Sequence, residues 1–347
     1  MQTRNQIEFN NGDDYQIYSL NIDHDHEVLL MASSSKSDTS LQTFTLPNVT
    51  NIDGNSIDYT RLSQGFDEFR LVKIIPFMIE NREFYAILAI ATSKDRTMSG
   101  AAIGCLQFAE RADGHMMPPR GIATCTLPNS CGSPAQIPGY IGVSTSNHLF
   151  YTFAGCSIIY GVPYPSARAI LTGTISKAIK VANFTMPGNV SAMAVRNVRD
   201  YSYILVLCIL NAGFLDSEML LLEYIINIAP WGHPLMKIRE INFRLDDPLI
   251  RATTSDFINL ILPSMYGNFV LISFSSKIRG NANAIFKIIL EESNGGIARV
   301  VASDKSHIVY DMIFIKPNRL AMITSNSVGH RFPTYKLYKF SASAHDA

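Results

Sequence analysis

A chain of 347 residues, 47% hydrophobic and only 17% charged, has ample material for a large core, which excludes intrinsic disorder. Its 29 Lys+Arg balance its 29 Asp+Glu, so a formal net charge of zero leaves no basic field for nucleic acid or for an anionic membrane. Membrane insertion is not expected either, because the apolar run of residues 84 to 92 is about half the length of a spanning helix and is closed by charge on both sides.

Taken in order, the chain opens on MQTRNQIEFN, where no basic segment precedes an apolar one, so no secretory signal is expected. Within it QIEFN (6 to 10) has strand character. Then come YQIYSLNI, the turn DHDH, HEVLLMASSS (26 to 35) and, after a polar gap, LQTFTLP. The same plan returns as FRLVKIIPFMI, IENRE, EFYAILAIATS (83 to 93) and AIGCLQFA, and again as GYIGVS, STSNH, HLFYTFAG (148 to 155) and SIIYGVPY. A fourth round reads VSAMAV, RNVRDY, YSYILVLCIL (201 to 210) and MLLLEYIINI; a fifth, FINLIL, SMYGN, NFVLISFSS (268 to 276) and IFKIIL. The sixth is VYDMIFI, IKPN, RLAMITSNS (319 to 327) and YKLYKF. Asn, Asp, Gly and Pro in the turns supply tight-turn backbone angles, so each unit reads as a three-strand meander.

Counted from Val28 through Phe84, Leu149, Tyr203, Phe269 and Leu320, the unit recurs at roughly 50 to 65 residues, the spacing of solenoids and propellers. GIATCTLP, AIKVANFTMP, MKIREINF and IARVVAS supply a fourth strand between units. The runs are rich in Ile, Val, Phe and Tyr, and no long segment keeps a helical stripe with a capping residue. The expected fold is all-β, a six-bladed β-propeller forming a single domain over residues 1 to 347. Seven blades, or tandem β-sandwiches divided near residues 166 to 190, are the alternatives. In a propeller the inner strands are covered on both faces, which explains continuous apolar runs such as 83 to 93. The third strands, YKLYKF and IFKIIL above all, alternate, and are expected to expose their polar side chains on one face. QIEFN is expected to pair beside YKLYKF and cover an edge.

Cys105, Cys125, Cys131, Cys156 and Cys208 form no CxxC pair and imply neither a zinc site nor a disulfide framework; their odd number leaves a free thiol. Cys125 and Cys131 bracket TLPNS and would close a small loop in an oxidising compartment. Sequons occur at Asn48, Asn183 and Asn189, about as many as chance supplies in a chain rich in Asn, Ser and Thr, so the motif by itself says nothing of compartment.

No GxSxG elbow, Walker A loop, GxGxxG or HExxH occurs, and no cofactor or metal is expected. A single tryptophan, Trp231, and a single glycine pair, Gly295-Gly296, argue against WD and kelch repeats; Asp-boxes are missing. In DHDHE, His24 and His26 share a strand face but only two ligands are local, so a solvated turn explains them. DGNSID places Asp53, Asn55 and Asp58 without the spacing of a calcium loop.

The aromatic and Pro-rich loops after the third strands carry Tyr164, Arg168, Trp231 and His233, rigid amphipathic anchors that suit an interface. At the opposite ends of the strands, Lys94, Asp95, Arg96, Arg279 and Arg331 sit in polar loops. Together these are the expected binding residues. They point to a non-enzymatic module that engages a protein or glycan partner through one face of the ring. A glycoside hydrolase using Asp256 and Asp311 at a central channel is the second reading. A structural subunit of a larger assembly, and so an oligomer, is the third.

Overall fold

The computed structural model describes the backbone of residues 2–8, 17–23, 28–34, 39–45, 57–58, 66–79, 82–93, 102–112, 115–116, 122–127, 139–144, 148–153, 155–162, 182–210, 218–226, 235–243, 257–264, 267–276, 282–290, 299–304, 309–316, 319–324 and 334–339, and many side chains between residues 140 and 324. These residues form strands and no helix, so none is long and apolar enough to cross a membrane. The fold is all-β and built from several antiparallel sheets.

Strand β1 spans Gln2–Glu8. The first sheet joins β2 (Ile17–Asp23), β3 (Val28–Ser34), β4 (Thr39–Thr45) and β5 (Ile57–Asp58). The second joins β6 (Phe66–Ile79), β7 (Arg82–Ser93), β8 (Ala102–Ala112) and β10 (Ile122–Leu127), with β9 (His115–Met116) folded back on β8. The third contains β11 (Gly139–Val143), β12 (Leu149–Phe153), β13 (Ile158–Val162) and β14 (Ala182–Thr185). In the fourth are β15 (Asn189–Val198), β16 (Tyr201–Leu210), β17 (Glu218–Ile226) and β18 (Leu235–Phe243). The fifth runs β19 (Phe257–Pro263), β20 (Phe269–Ser276), β21 (Ala282–Ile289) and β22 (Arg299–Asp304). The sixth has β23 (Val309–Lys316), β24 (Arg319–Thr324) and β25 (Thr334–Lys339), followed by β1.

Each sheet is thus an antiparallel meander whose strands follow chain order, except the last, which takes its fourth strand from the N-terminus. That strand pairs with YKLYKF as expected, Gln6 opposite Lys336, but it begins at Gln2 and ends at Glu8. As a sheet edge it needs backbone hydrogen bonds rather than an apolar face, so TRNQ carries little hydrophobic signal.

The chain divides into two compact units, Asp14–Thr185, holding the first three sheets, and Met1–Asp13 with Met186–Ala347, holding the other three. In the former, β6 lies beside both β2 and β11; in the latter, β19 lies beside both β15 and β23. Neighbouring sheets within each unit therefore meet through their first strands.

Burial explains the unbroken apolar runs where side chains are described. Residues 204 to 209 of β16 are all buried, on both faces, and Met219 to Glu223 of β17 likewise. A strand covered twice needs no polar alternation. Leu271 and Ile285 of the fifth sheet cluster with Val309, Met312, Phe314, Leu320 and Met322 of the sixth. Phe269 meets Phe314 edge to face at 6.0 Å across that seam. In the third sheet Tyr151 and Tyr160, both buried, stack at 4.9 Å.

One expectation is corrected. Lys287, the polar residue of IFKIIL, is buried at 7% exposure rather than solvated, with its ammonium 4.6 Å from the centroid of Phe269. The cysteine spacing implied no disulfide framework, but Cys156 is buried and disulfide-bonded. Cys208 is the free thiol among the described residues. Burial pushes it up to about 12, against a backbone hydrogen bond from Gly188 that favours the thiolate. Since the thiolate is the reactive form, Cys208 is expected to resist an aromatic disulfide reagent at neutral pH until denaturant is added. Rapid labelling of the native protein at position 208 would contradict its burial.

Candidate functional site

The described residues best able to form a site lie at one end of the fourth sheet. The register across it sets Arg196 opposite Tyr203, Tyr203 opposite Ile225, and Ile225 opposite Met236. Two residues along, the row is Ala194, Leu205, Glu223 and Arg239. Directly opposed residues share a face, so pairing alone gathers Arg196, Glu223 and Arg239 on one side of the sheet. A bulge completes the alignment: Glu223 faces Arg239 and Tyr224 faces Lys237, which leaves Ile238 as the extra residue, 43% exposed.

The Glu223 side chain is 5% exposed, with Oε2 at 3.3 Å from Arg239 Nε and Oε1 at 4.0 Å from Arg196 Nη1. Burial raises its carboxyl above the ordinary range, and the two guanidinium groups, Arg239 first, pull it back only in part. Arg196 also donates from Nη1 to Asn268 Oδ1 at 3.3 Å and from Nη2 to the carbonyl of Gly267 at 3.2 Å. One side chain therefore ties β15 to the β19–β20 turn of the next sheet. Its Nε is buried without a hydrogen-bond partner among the described residues. With both carboxylate oxygens facing cations, the cluster suits orientation and anchoring rather than proton transfer.

At this end of the sheet two large apolar side chains are exposed, Tyr201 at 59% and Met236 at 58%, among the exposed polar residues Asn197, Arg199, Asp200 and Lys237. Both lie at the end of the sheet where β17 closes at Ile226 and β18 opens at Leu235. The β15–β16 connection there is the two-residue turn Arg199-Asp200, with Arg199 at φ 52°. A left-handed angle disfavours a side chain with a Cβ, and glycine is preferred at the first position of such turns. Arg199→Gly is accordingly expected to stabilise by about 1 kcal/mol, read as a higher denaturant midpoint with unchanged m-value. A lower midpoint would mean the Arg199 side chain has a role beyond the turn.

Tyr164, Arg168, Trp231, His233, Lys94, Asp95, Arg96, Arg279 and Arg331 lie outside the described residues, as do His24, His26, Asp53, Asn55 and Asp256. For Asp58 only the backbone, in β5, is described. Asp311 is half-buried on β23, and its Oδ1 accepts a hydrogen bond from the backbone N–H of Met312 at 2.9 Å. Arg196, Glu223 and Arg239 escaped the sequence reading. Their signal was a lone charge inside each of two apolar runs, VSAMAVRN and MLLLEYII, and one of three charges in MKIREIN, and only the register reveals that the three residues coincide.

No family model and no curated protein matches this chain. Among solved structures it is similar to a luciferin-regenerating enzyme, with 11% identity, TM-score 0.48 and 95% of each chain covered. A protein from Lactobacillus plantarum is similar at 12% identity and TM-score 0.49, over 95% of this chain and 82% of the other. AofleA from Arthrobotrys oligospora is similar at 8% identity and TM-score 0.47, over 97% and 90%.

Proposed function

We propose that residues 1 to 347 form one six-bladed β-propeller, and that it is a non-enzymatic module binding a protein or glycan partner through one face of the ring. The blade reading is supported by the repeated strand order of the sheets, by first strands lying beside first strands within each unit, and by an N-terminal strand that completes the last sheet. The observation that carries the binding reading is the exposure of Tyr201 and Met236 at one end of the fourth sheet. Exposed aromatic and Met side chains beside an arginine are the anchors of recognition surfaces.

A photo-crosslinking amino acid at Tyr201 tests this in living cells, with the same group at Asn242, exposed near the other end of β18, as control. A partner labelled from 201 and not from 242, and weakened at least several-fold by Met236→Ser, is the expected result; for a saccharide partner, a printed glycan array shows the same loss. Equal labelling from both positions, or turnover of glycosides by the purified chain, would overturn the binding reading.

A further inference from the structure

We propose that Asn183 is an N-glycosylation site, used when the chain passes through an oxidising, glycosylating compartment. Three sequons exist, and the structure separates them. Asn48 lies outside the described residues. Asn189 is half-buried in β15, paired with Ile209, and its hydroxyl residue Ser191 is 8% exposed. A half-buried amide whose hydroxyl residue is buried is a poor acceptor for an oligosaccharide.

Asn183 differs in each respect. It lies on β14, at the edge of the third sheet, where burial alternates strictly: Ala182 and Phe184 half-buried, Asn183 and Thr185 exposed. Phe184 anchors the strand over Gly161, with Cε2 3.0 Å from where a Cβ would stand. The period-2 geometry then turns the acceptor amide and the Thr185 hydroxyl to solvent on the same face. Sugar at this edge would also block pairing with another strand.

The second observation is the disulfide of Cys156, in the β12–β13 connection of the same sheet. Disulfides persist in oxidising compartments, and those of the secretory route are where sequons are glycosylated. The transfer itself balances. Asn183 Nδ2 forms a bond to the anomeric carbon of an oligosaccharide carried on a lipid pyrophosphate, the bond from that carbon to the pyrophosphate oxygen breaks with its electron pair leaving on the lipid pyrophosphate, and the amide releases one proton to solvent.

The test directs the full chain through the secretory pathway of a eukaryotic cell and maps all of it, secreted and retained, by peptide mass after amidase release in heavy-oxygen water. Heavy-oxygen aspartate at 183, asparagine at 189, loss of the signal in Thr185→Ala and its persistence in Thr185→Ser are expected. An unmodified Asn183 would overturn the proposal. So would alkylation of Cys156 in denatured, unreduced protein, which would remove the evidence for an oxidising compartment.

Discussion

Arg196→Ala is expected to lower the unfolding free energy by about 3–5 kcal/mol, the usual range for removing one partner of a buried ion pair. The side chain is only 13% exposed, and its loss strips donors from Asn268 and Gly267 and removes one of the two cations facing Glu223. It also changes the response to pH. Glu223 already titrates above the ordinary carboxylate range through burial, so its folded value exceeds its unfolded one. The stability it contributes is therefore full below the unfolded value and is lost as pH rises through the folded value.

Removing Arg196 deletes one of the two attractions that oppose this rise, so in the variant the loss extends to higher pH. Glu223→Gln keeps the shape, flattens the profile, and is expected to cost no more than about 1 kcal/mol at neutral pH, because burial outweighs the arginines. Denaturant midpoints measured through the mildly acid range decide the matter. An unchanged pH profile in Arg196→Ala would show that Glu223 does not sense Arg196.

Phe314→Ala is expected to cost about 3–5 kcal/mol, as large-to-small changes of buried aromatics do. Phe314 is 3% exposed and meets Phe269 across the seam between the fifth and sixth sheets. Phe314→Leu fills most of the volume and is expected to cost about 1 kcal/mol. Equal, small losses in both variants, by chemical denaturation, would mean that this seam contributes little to folding.

Much of the strand pattern was legible because apolar runs and turn residues are local signals. YSYILVLCIL reads as a strand buried on both faces, and β16 is one. MKIREINF reads as a weaker, outer strand, and β18 exposes Met236, Lys237 and Ile238. What escaped depends on pairing between distant segments. Lys287 reads as solvated until Phe269 is set beneath its ammonium. The Arg196, Glu223 and Arg239 clamp exists only in the register of β15, β17 and β18, corrected by the bulge at Ile238. Cys156 shows no spacing signal, because a disulfide depends on proximity in the fold rather than on separation along the chain.

The proposed ring is tested most directly by a crystal structure at side-chain resolution. Six sheets about one axis, with β2, β6, β11, β15, β19 and β23 innermost and β1 completing the sixth sheet, are the expected result. Two separate sandwiches, with the third and fourth sheets sharing no common axis, would contradict it.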